Sequence, residues 1–140
     1  MGSVRQQIII NASIEKVWQT IRNFHDVSWA PKVATSVVRQ GDIPGTVVGA
    51  KRIINDVFYE TLSHFNEAQH TFSYQIDKGP GPLKADLIEN YIGTVTLSAD
   101  GENTLVDWSA SFSAEDEQAV ANFCNPMYRA LLTAMKDSLS

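Results

Sequence analysis

Two charged residues fall at positions that alternation turns inward. Glu60 stands among Phe58, Leu62 and His64, and Arg52 lies between Ala50 and Ile54 in the preceding segment. If the turn at residues 55–57 has three residues, Arg52 and Glu60 oppose each other across neighbouring antiparallel strands. A two-residue turn would send Arg52 outward and break the pair. Burying a charge unpaired is costly, and even a buried pair is often no gain in stability. An inward pair therefore points to a wet cavity or a ligand, against the plainer reading of an ion pair at the sheet rim.

Two kinds of chemistry follow. In an enzyme, Glu60 would accept or donate the proton, with its pKa tuned by burial and by Arg52. Arg52 would stabilise an enolate-like oxyanion, and Tyr91 would orient the substrate. Cyclisation, dehydration or isomerisation of a carbonyl compound needs no more. In a binding protein, Arg52 and Glu60 would anchor a polar head group. Phe58, Leu62, Phe72, Tyr74, Tyr91 and Trp108 would line the site from the strands, with Phe112, Phe123 and Met127. Tyr74, Tyr91 and Trp108 each add a polar tip to this apolar surface, although inward aromatic residues are more often plain core.

Other catalytic signatures are missing. The sequence has no HExxH, no paired CxxC, no nucleophile elbow and no phosphate-binding glycine loop. No metal and no cofactor is expected. His25 and Asp26 are adjacent, a spacing that rarely lets two side chains face each other, so a solvated loop is the better reading. His64 is predicted inward at a strand end, His70 in a surface turn, and Cys124 as inert core. The run Lys78-Gly79-Pro80-Gly81-Pro82 alternates glycine with proline and lacks the row of free N–H groups a phosphate needs. It is a candidate lid for a cavity mouth.

The elements that hold these residues are mostly strands. Residues 4–10 read as a strand. Ser13 is an N-cap for a helix over 14–23, followed by a second short helical piece over 24–30 that Pro31 stops. An edge strand over 32–39 precedes strands over 46–54, 58–65, 71–77, 86–98 and 104–113. Asp100-Gly101 turns the chain between the last two. With the turn placed at 99–102, Tyr91 pairs with Ala110, Gly93 with Trp108 and Val95 with Val106. That register turns Leu87, Glu89, Tyr91, Gly93, Val95 and Leu97 inward. Phe72, Tyr74 and Ile76 face the same way. One long helix closes the chain over residues 113–139, capped by Ser113, with an apolar stripe at Val120, Phe123, Cys124, Met127, Leu131, Ala134, Met135 and Leu139.

These elements make an α+β fold in the order β-α-α-β6-α: a seven-stranded antiparallel sheet curled round one long C-terminal helix. A sheet of that size must twist and curl. A helix is only about 10 Å across, so an internal cavity is expected beside it. Pro126 lies inside the helix, where a kink near residues 122–126 would widen one end.

A length of 140 residues suits one domain over 1–140. Eleven basic against sixteen acidic residues, with no basic cluster, argues against nucleic acid as a partner. One cysteine permits no disulfide within the chain and fits a reducing cytoplasm. No apolar run reaches the length of a membrane span, and no signal peptide is seen. The expected partner is a small hydrophobic ligand, and the chain is expected to be a monomer or homodimer. A chaperone-like module would need an exposed apolar patch, whereas the outward faces of these strands are polar.

Several motifs carry a family resemblance. Gly45-Thr46-Val47-Val48-Gly49-Ala50-Lys51-Arg52 resembles the glycine–valine–arginine strand of the START/Bet v 1-like (SRPBCC) superfamily, polyketide cyclase/dehydrase and lipid-transport branch. Glu60-Thr61-Leu62, Phe72-Ser73-Tyr74-Gln75-Ile76, Asn90-Tyr91-Ile92-Gly93-Thr94, Asp107-Trp108-Ser109 and Trp29-Ala30-Pro31 are similar to its other motifs, in the same order. The resemblance implies a helix-grip fold with a cavity for an apolar ligand such as a lipid, a polyketide or an aromatic compound. It places that superfamily's cavity glutamate, tyrosine and arginine on Glu60, Tyr91 and Arg52. The plant hormone receptors of the superfamily have a longer gate loop where this chain has only Asn55-Asp56-Val57, so their gating is not expected here. The leading reading is binding or transport of a small hydrophobic ligand. The alternative is a cofactor-free cyclase, dehydratase or isomerase.

Overall fold

The computed structural model describes residues 1–140. Seven antiparallel strands form one sheet in the order β1-β7-β6-β5-β4-β3-β2. They are β1 (Gly2–Ile10), β2 (Val37–Gln40), β3 (Lys51–Ile54), β4 (Phe58–Asn66), β5 (Thr71–Lys78), β6 (Ile88–Asp100) and β7 (Asn103–Ala114). Every consecutive pair from β2 to β7 is hydrogen-bonded, and β1 closes onto β7.

Helix α1 (Ile14–Ile21) starts at Ser13, whose hydroxyl accepts from the Lys16 N–H at 3.2 Å. Its buried face is Val17, Trp18 and Ile21. Helix α2 (Glu117–Leu139) starts later than Ser113. That serine belongs to β7, and Asp116 caps the helix instead, accepting from the Ala119 N–H at 2.9 Å. The second short helix does not form. Residues 24–33 run as successive turns, closed by bonds such as Asp26 N–H to Asn23 O and Ala30 N–H to Val27 O. The strands predicted over 32–39 and 46–54 are confined to β2 and β3. Gly49, at φ 101°, bends the chain into β3.

The register of β6 and β7 keeps the predicted faces over most of its length but slides by two residues. Gly93 lies opposite Ala110, Val95 opposite Trp108 and Leu97 opposite Val106, because the turn takes only Gly101 and Glu102. A shift of two preserves the side-chain parity. Two of the sheet's three register shifts reverse predicted faces. The first lies between Glu89 and Ile92, with Asn90 at φ 55°. It makes Ile88 buried and leaves Leu87 and Glu89 exposed, opposite to expectation. The second lies between Leu62 and His64. It turns His64 outward and brings Phe65 beside Trp18, ring centroids 5.6 Å apart. An extra residue in one strand shifts every later side chain to the other face.

Helix α2 buries Val120, Cys124, Tyr128, Leu132, Met135 and Leu139, and runs closest to β1 and β7. The helix thus sits toward one edge of the sheet. The inner faces of β3, β4 and β5 are left for other groups to meet, and the candidate site lies there. Pro126 stands within a helix that runs unbroken from Glu117 to Leu139.

Candidate functional site

Asn55 at φ 55° and Asp56 at φ 63° build the tight connection between β3 and β4. Asn55 is fixed by its own amide: Oδ1 accepts from the Thr35 N–H at 2.8 Å, and Nδ2 donates to Val33 O at 2.9 Å. The turn has three residues, since Ile54 pairs with Phe58. Arg52 is therefore directly opposite Glu60.

Both side chains are buried, each residue only 6% exposed. Arg52 Nε donates to Glu60 Oε1 at 2.8 Å, and a terminal guanidinium nitrogen meets the same oxygen at 2.8 Å. The other terminal nitrogen donates to Phe24 O at 2.9 Å. The guanidinium carbon lies 3.8 Å from the centroid of the Phe24 ring, a cation–π contact that a flat, weakly hydrated cation makes well. All three guanidinium nitrogens thus have a protein partner. Glu60 uses one oxygen. Its Oε2 accepts no hydrogen bond from the protein, and it is not among the sealed, unpaired polar atoms. Burial pushes the Glu60 carboxyl above the usual carboxylate range, while the Arg52 charge and hydrogen bond pull against that rise.

Above this pair lies a cavity of about 340 Å³. Arg52, Ile54, Phe58, Glu60, Tyr74 and Trp108 line it from the sheet. Phe123, Met127 and Leu131 line it from α2 together with Tyr128. Val27, Trp29, Val33 and Ala34 line it from the turns before β2, with Asn55 from the turn after β3. Phe123, Met127 and Leu131 recur every four residues, so they form one helix stripe beside the core stripe.

From the cavity wall inward runs a chain of polar groups. Trp108 Nε1 donates to the Tyr74 hydroxyl at 3.0 Å, and the Tyr74 and Tyr128 hydroxyls are 3.2 Å apart. Tyr128 in turn meets the Tyr91 hydroxyl, which donates to Cys124 Sγ at 3.5 Å. Tyr91 gives its one proton to sulfur, so Tyr128 donates to Tyr91 and Tyr74 donates to Tyr128, with the Trp108 indole N–H donating to Tyr74. Burial raises the Tyr74, Tyr91 and Tyr128 pKa values above the ordinary phenol range, and burial also raises that of Cys124.

Of the residues singled out from the sequence, Arg52, Phe58, Glu60, Tyr74, Trp108, Phe123 and Met127 meet at this cavity. Leu62, Phe72, Tyr91 and Phe112 do not reach it. Phe72 packs with Trp18 and Phe24, ring centroids 6.4 Å away in each case, and Leu62 is sealed in the same core. Phe112 stacks on Tyr91 at 5.8 Å, and Tyr91 itself lies behind Tyr128. Tyr91 therefore does not touch the space where it was expected to orient a substrate. Tyr128 takes that wall position. It follows Val120 and Cys124 at four-residue spacing, a signal its polar tip masked.

The remaining candidates separate from the cavity. His25 Nε2 lies 3.0 Å from Lys51 O, and Asp26 accepts from the Ser28 N–H and hydroxyl, so the two do not pair. Burial lowers the His25 pKa. His70 sits in a turn 3.3 Å from Glu15 and edge-on to Trp18. The proline–glycine loop packs beside α2 near Phe123 rather than along the cavity. It forms a 3₁₀ turn at Gly81–Leu83 that buries Leu83, and none of its residues lines the cavity. No group of His, Cys, Asp and Glu is placed to hold a metal ion, and no helix is long and apolar enough to cross a membrane.

The same architecture occurs in known proteins. A solved structure of a protein from Nitrosospira multiformis is 35% identical, with a TM-score of 0.95 over 99% of this chain and 96% of that one. XoxI from Bacillus cereus is 24% identical, with a TM-score of 0.81 over 99% of this chain and 96% of its own. Ginseng major latex-like protein 151 from Panax ginseng is 14% identical, with a TM-score of 0.77 over 99% and 97%. These last two are likenesses of fold alone, and the fold is the Bet v 1-like helix grip. No curated protein matches the sequence. The profile of the family described as polyketide cyclase / dehydrase and lipid transport matches residues 1–140. The chain thus belongs to the polyketide cyclase/dehydrase and lipid-transport family, whose fold is suited to binding hydrophobic ligands.

Proposed function

We propose that this protein binds a small hydrophobic ligand in the cavity between α2 and the β3–β5 face, as a carrier or sensor. The observation that carries this reading is the pairing of an apolar wall with one buried polar pair. Phe58, Trp108, Phe123, Met127 and Leu131 supply apolar area, and Arg52 with Glu60 supplies a fixed polar reference point. Pockets for small molecules have this composition, with a few placed polar groups setting orientation. The volume of about 340 Å³ lies near the small end of the range of roughly 300–1,000 Å³.

Native mass spectrometry of the purified protein tests the reading directly, by co-purified small molecules. A thermal-shift screen with lipids and aromatic compounds is the second arm. A ligand at about 100 times its Kd stabilises the native state by about 2.7 kcal/mol. A protein that carries nothing and gains no stability from any compound refutes the carrier.

One observation favours a second reading, a cofactor-free cyclase, dehydratase or isomerase. Glu60 combines a raised pKa with an oxygen free to meet a ligand, as a general acid or base requires. In that case Glu60→Gln abolishes turnover while ligand affinity stays within about tenfold, roughly 1.4 kcal/mol. A carrier has no turnover to lose and changes only in affinity.

A further inference from the structure

The polar groups around the cavity are unequal in what they have left to offer. The phenol protons of Tyr74 and Tyr128 are both committed within the chain from Trp108 to Cys124. The indole N–H of Trp29 is committed to Asp26 O at 3.2 Å. The amide of Asn55 is committed at both ends. Arg52 already compensates Glu60 and stacks on Phe24. Glu60 Oε2 remains, an acceptor on a residue only 6% exposed that borders the cavity.

We propose that the cavity selects an uncharged ligand of one or two rings bearing a hydroxyl, which donates its proton to Glu60 Oε2. The proposal rests on the reading that the cavity holds a small hydrophobic molecule, and it fixes the polar chemistry of that molecule. A ligand carboxylate would bring a second anion to one guanidinium that is already paired. Two carboxylates sharing one poorly solvated site cannot both stay ionised at low cost. A ligand cation would meet Arg52. An ether or hydrocarbon would leave Oε2 without a donor. A hydroxyl satisfies Oε2 and adds no charge.

Size narrows the class further. A volume of about 340 Å³ equals roughly 11 water molecules at about 30 Å³ each. That space suits a fused pair of rings and excludes a lipid with two acyl chains. Arg52 becomes a positioning residue on this account. It holds Oε1, and thereby aims Oε2 at the ligand.

The test uses naphthol, its methyl ether and naphthoate as probes of similar ring size, titrated calorimetrically into the full-length protein at neutral pH. Naphthol is expected to bind at least tenfold more tightly than either of the others. Equal affinity for naphthol and its methyl ether overturns the proposal while leaving cavity binding intact. Naphthoate binding as tightly as naphthol does the same. If none of the three binds up to about 1 mM, a Kd worth about 4.1 kcal/mol, the proposal fails, and the native mass spectrometry and thermal-shift screen decide the cavity-binding reading separately. Glu60→Gln adds a second readout. Its amide oxygen takes the Arg52 bonds, so the group facing the cavity becomes an N–H donor. The naphthol preference should vanish in a variant whose circular dichroism is native. A preference that survives Glu60→Gln removes Glu60 from its assigned role. If that variant does not fold, the wild-type series decides.

Discussion

Tyr74 rests its phenol ring on the bare backbone of Gly93. The two pair across β5 and β6, and a Cβ added at Gly93 would clash with the ring carbon bearing the hydroxyl. Glycine is needed here for close approach, since its φ is not positive. The contact fixes the height of the Tyr74 hydroxyl, and with it the link from Trp108 to Tyr128.

Gly93→Ala therefore overpacks a buried ring. It should destabilise the protein by about 1–3 kcal/mol, the usual cost of forcing extra volume into a packed core. Urea denaturation checks the size. Weaker binding of the naphthol probe would show that the displaced ring also intrudes on the cavity wall. An unchanged denaturation midpoint would refute the close approach.

The buried ion pair predicts non-additive mutations. Arg52→Met leaves Glu60 buried without its partner and should cost about 3 kcal/mol. The double change Arg52→Met with Glu60→Met removes the orphaned charge and should cost less than Arg52→Met alone. A double-mutant cycle measured by urea denaturation gives the coupling. Simple additivity would mean the two charges are solvated independently.

Stability should respond to pH in opposite senses at two carboxyls. Burial makes folded Glu60 hold its proton more tightly than the unfolded chain does. Its contribution is full below the unfolded value of 4.5 and declines as pH rises through the higher folded value. At Asp107, burial pushes the carboxyl up, but hydrogen bonds from Arg5 and Gln7 and the Arg5 charge outweigh it and hold the pKa down. That contribution is full above the unfolded value of 3.8 and is lost as pH falls through the lower folded one. Wild type minus Glu60→Gln should therefore shrink as pH is raised, and wild type minus Asp107→Asn should shrink as it is lowered. Denaturation curves across the acid range, compared between each pair, check both signs.

Tyr128 joins two other hydroxyls, so Tyr128→Phe leaves the Tyr74 proton without an acceptor and Tyr91 without its donor. A cost of about 1–3 kcal/mol is expected for such buried unsatisfied groups. The ultraviolet titration of the wild type supplies a companion test. Tyr74, Tyr91 and Tyr128 should ionise only as alkaline unfolding begins, because burial raises all three pKa values.

The sequence exposed the Arg52–Glu60 pair because both sit in strands of strict alternation joined by a turn whose length decides one question. The seven strands and the closing helix were visible for the same reason, since periodicity is a property of neighbours in the chain. Bulges are different. The irregularities beside Asn90 and after Leu62 reversed Glu89 and His64, and neither leaves a residue pattern before pairing is known. Val27, Trp29, Val33 and Ala34 come from turns with no period at all, and only tertiary packing brings them to the cavity. Tyr128 and Leu132 continue the core stripe that the reading of α2 left incomplete.

Two adjacent stripes run along α2, one buried and one bordering the cavity, with Tyr128 shared between them. Val120, Cys124, Tyr128 and Leu132 grip the sheet, whereas Phe123, Met127 and Leu131 stay half-exposed along the cavity. Exchanging those three for other apolar side chains reshapes the hollow while the fully buried stripe keeps its residues. A descendant of this chain can alter the shape of that hollow at three codons while inheriting the scaffold.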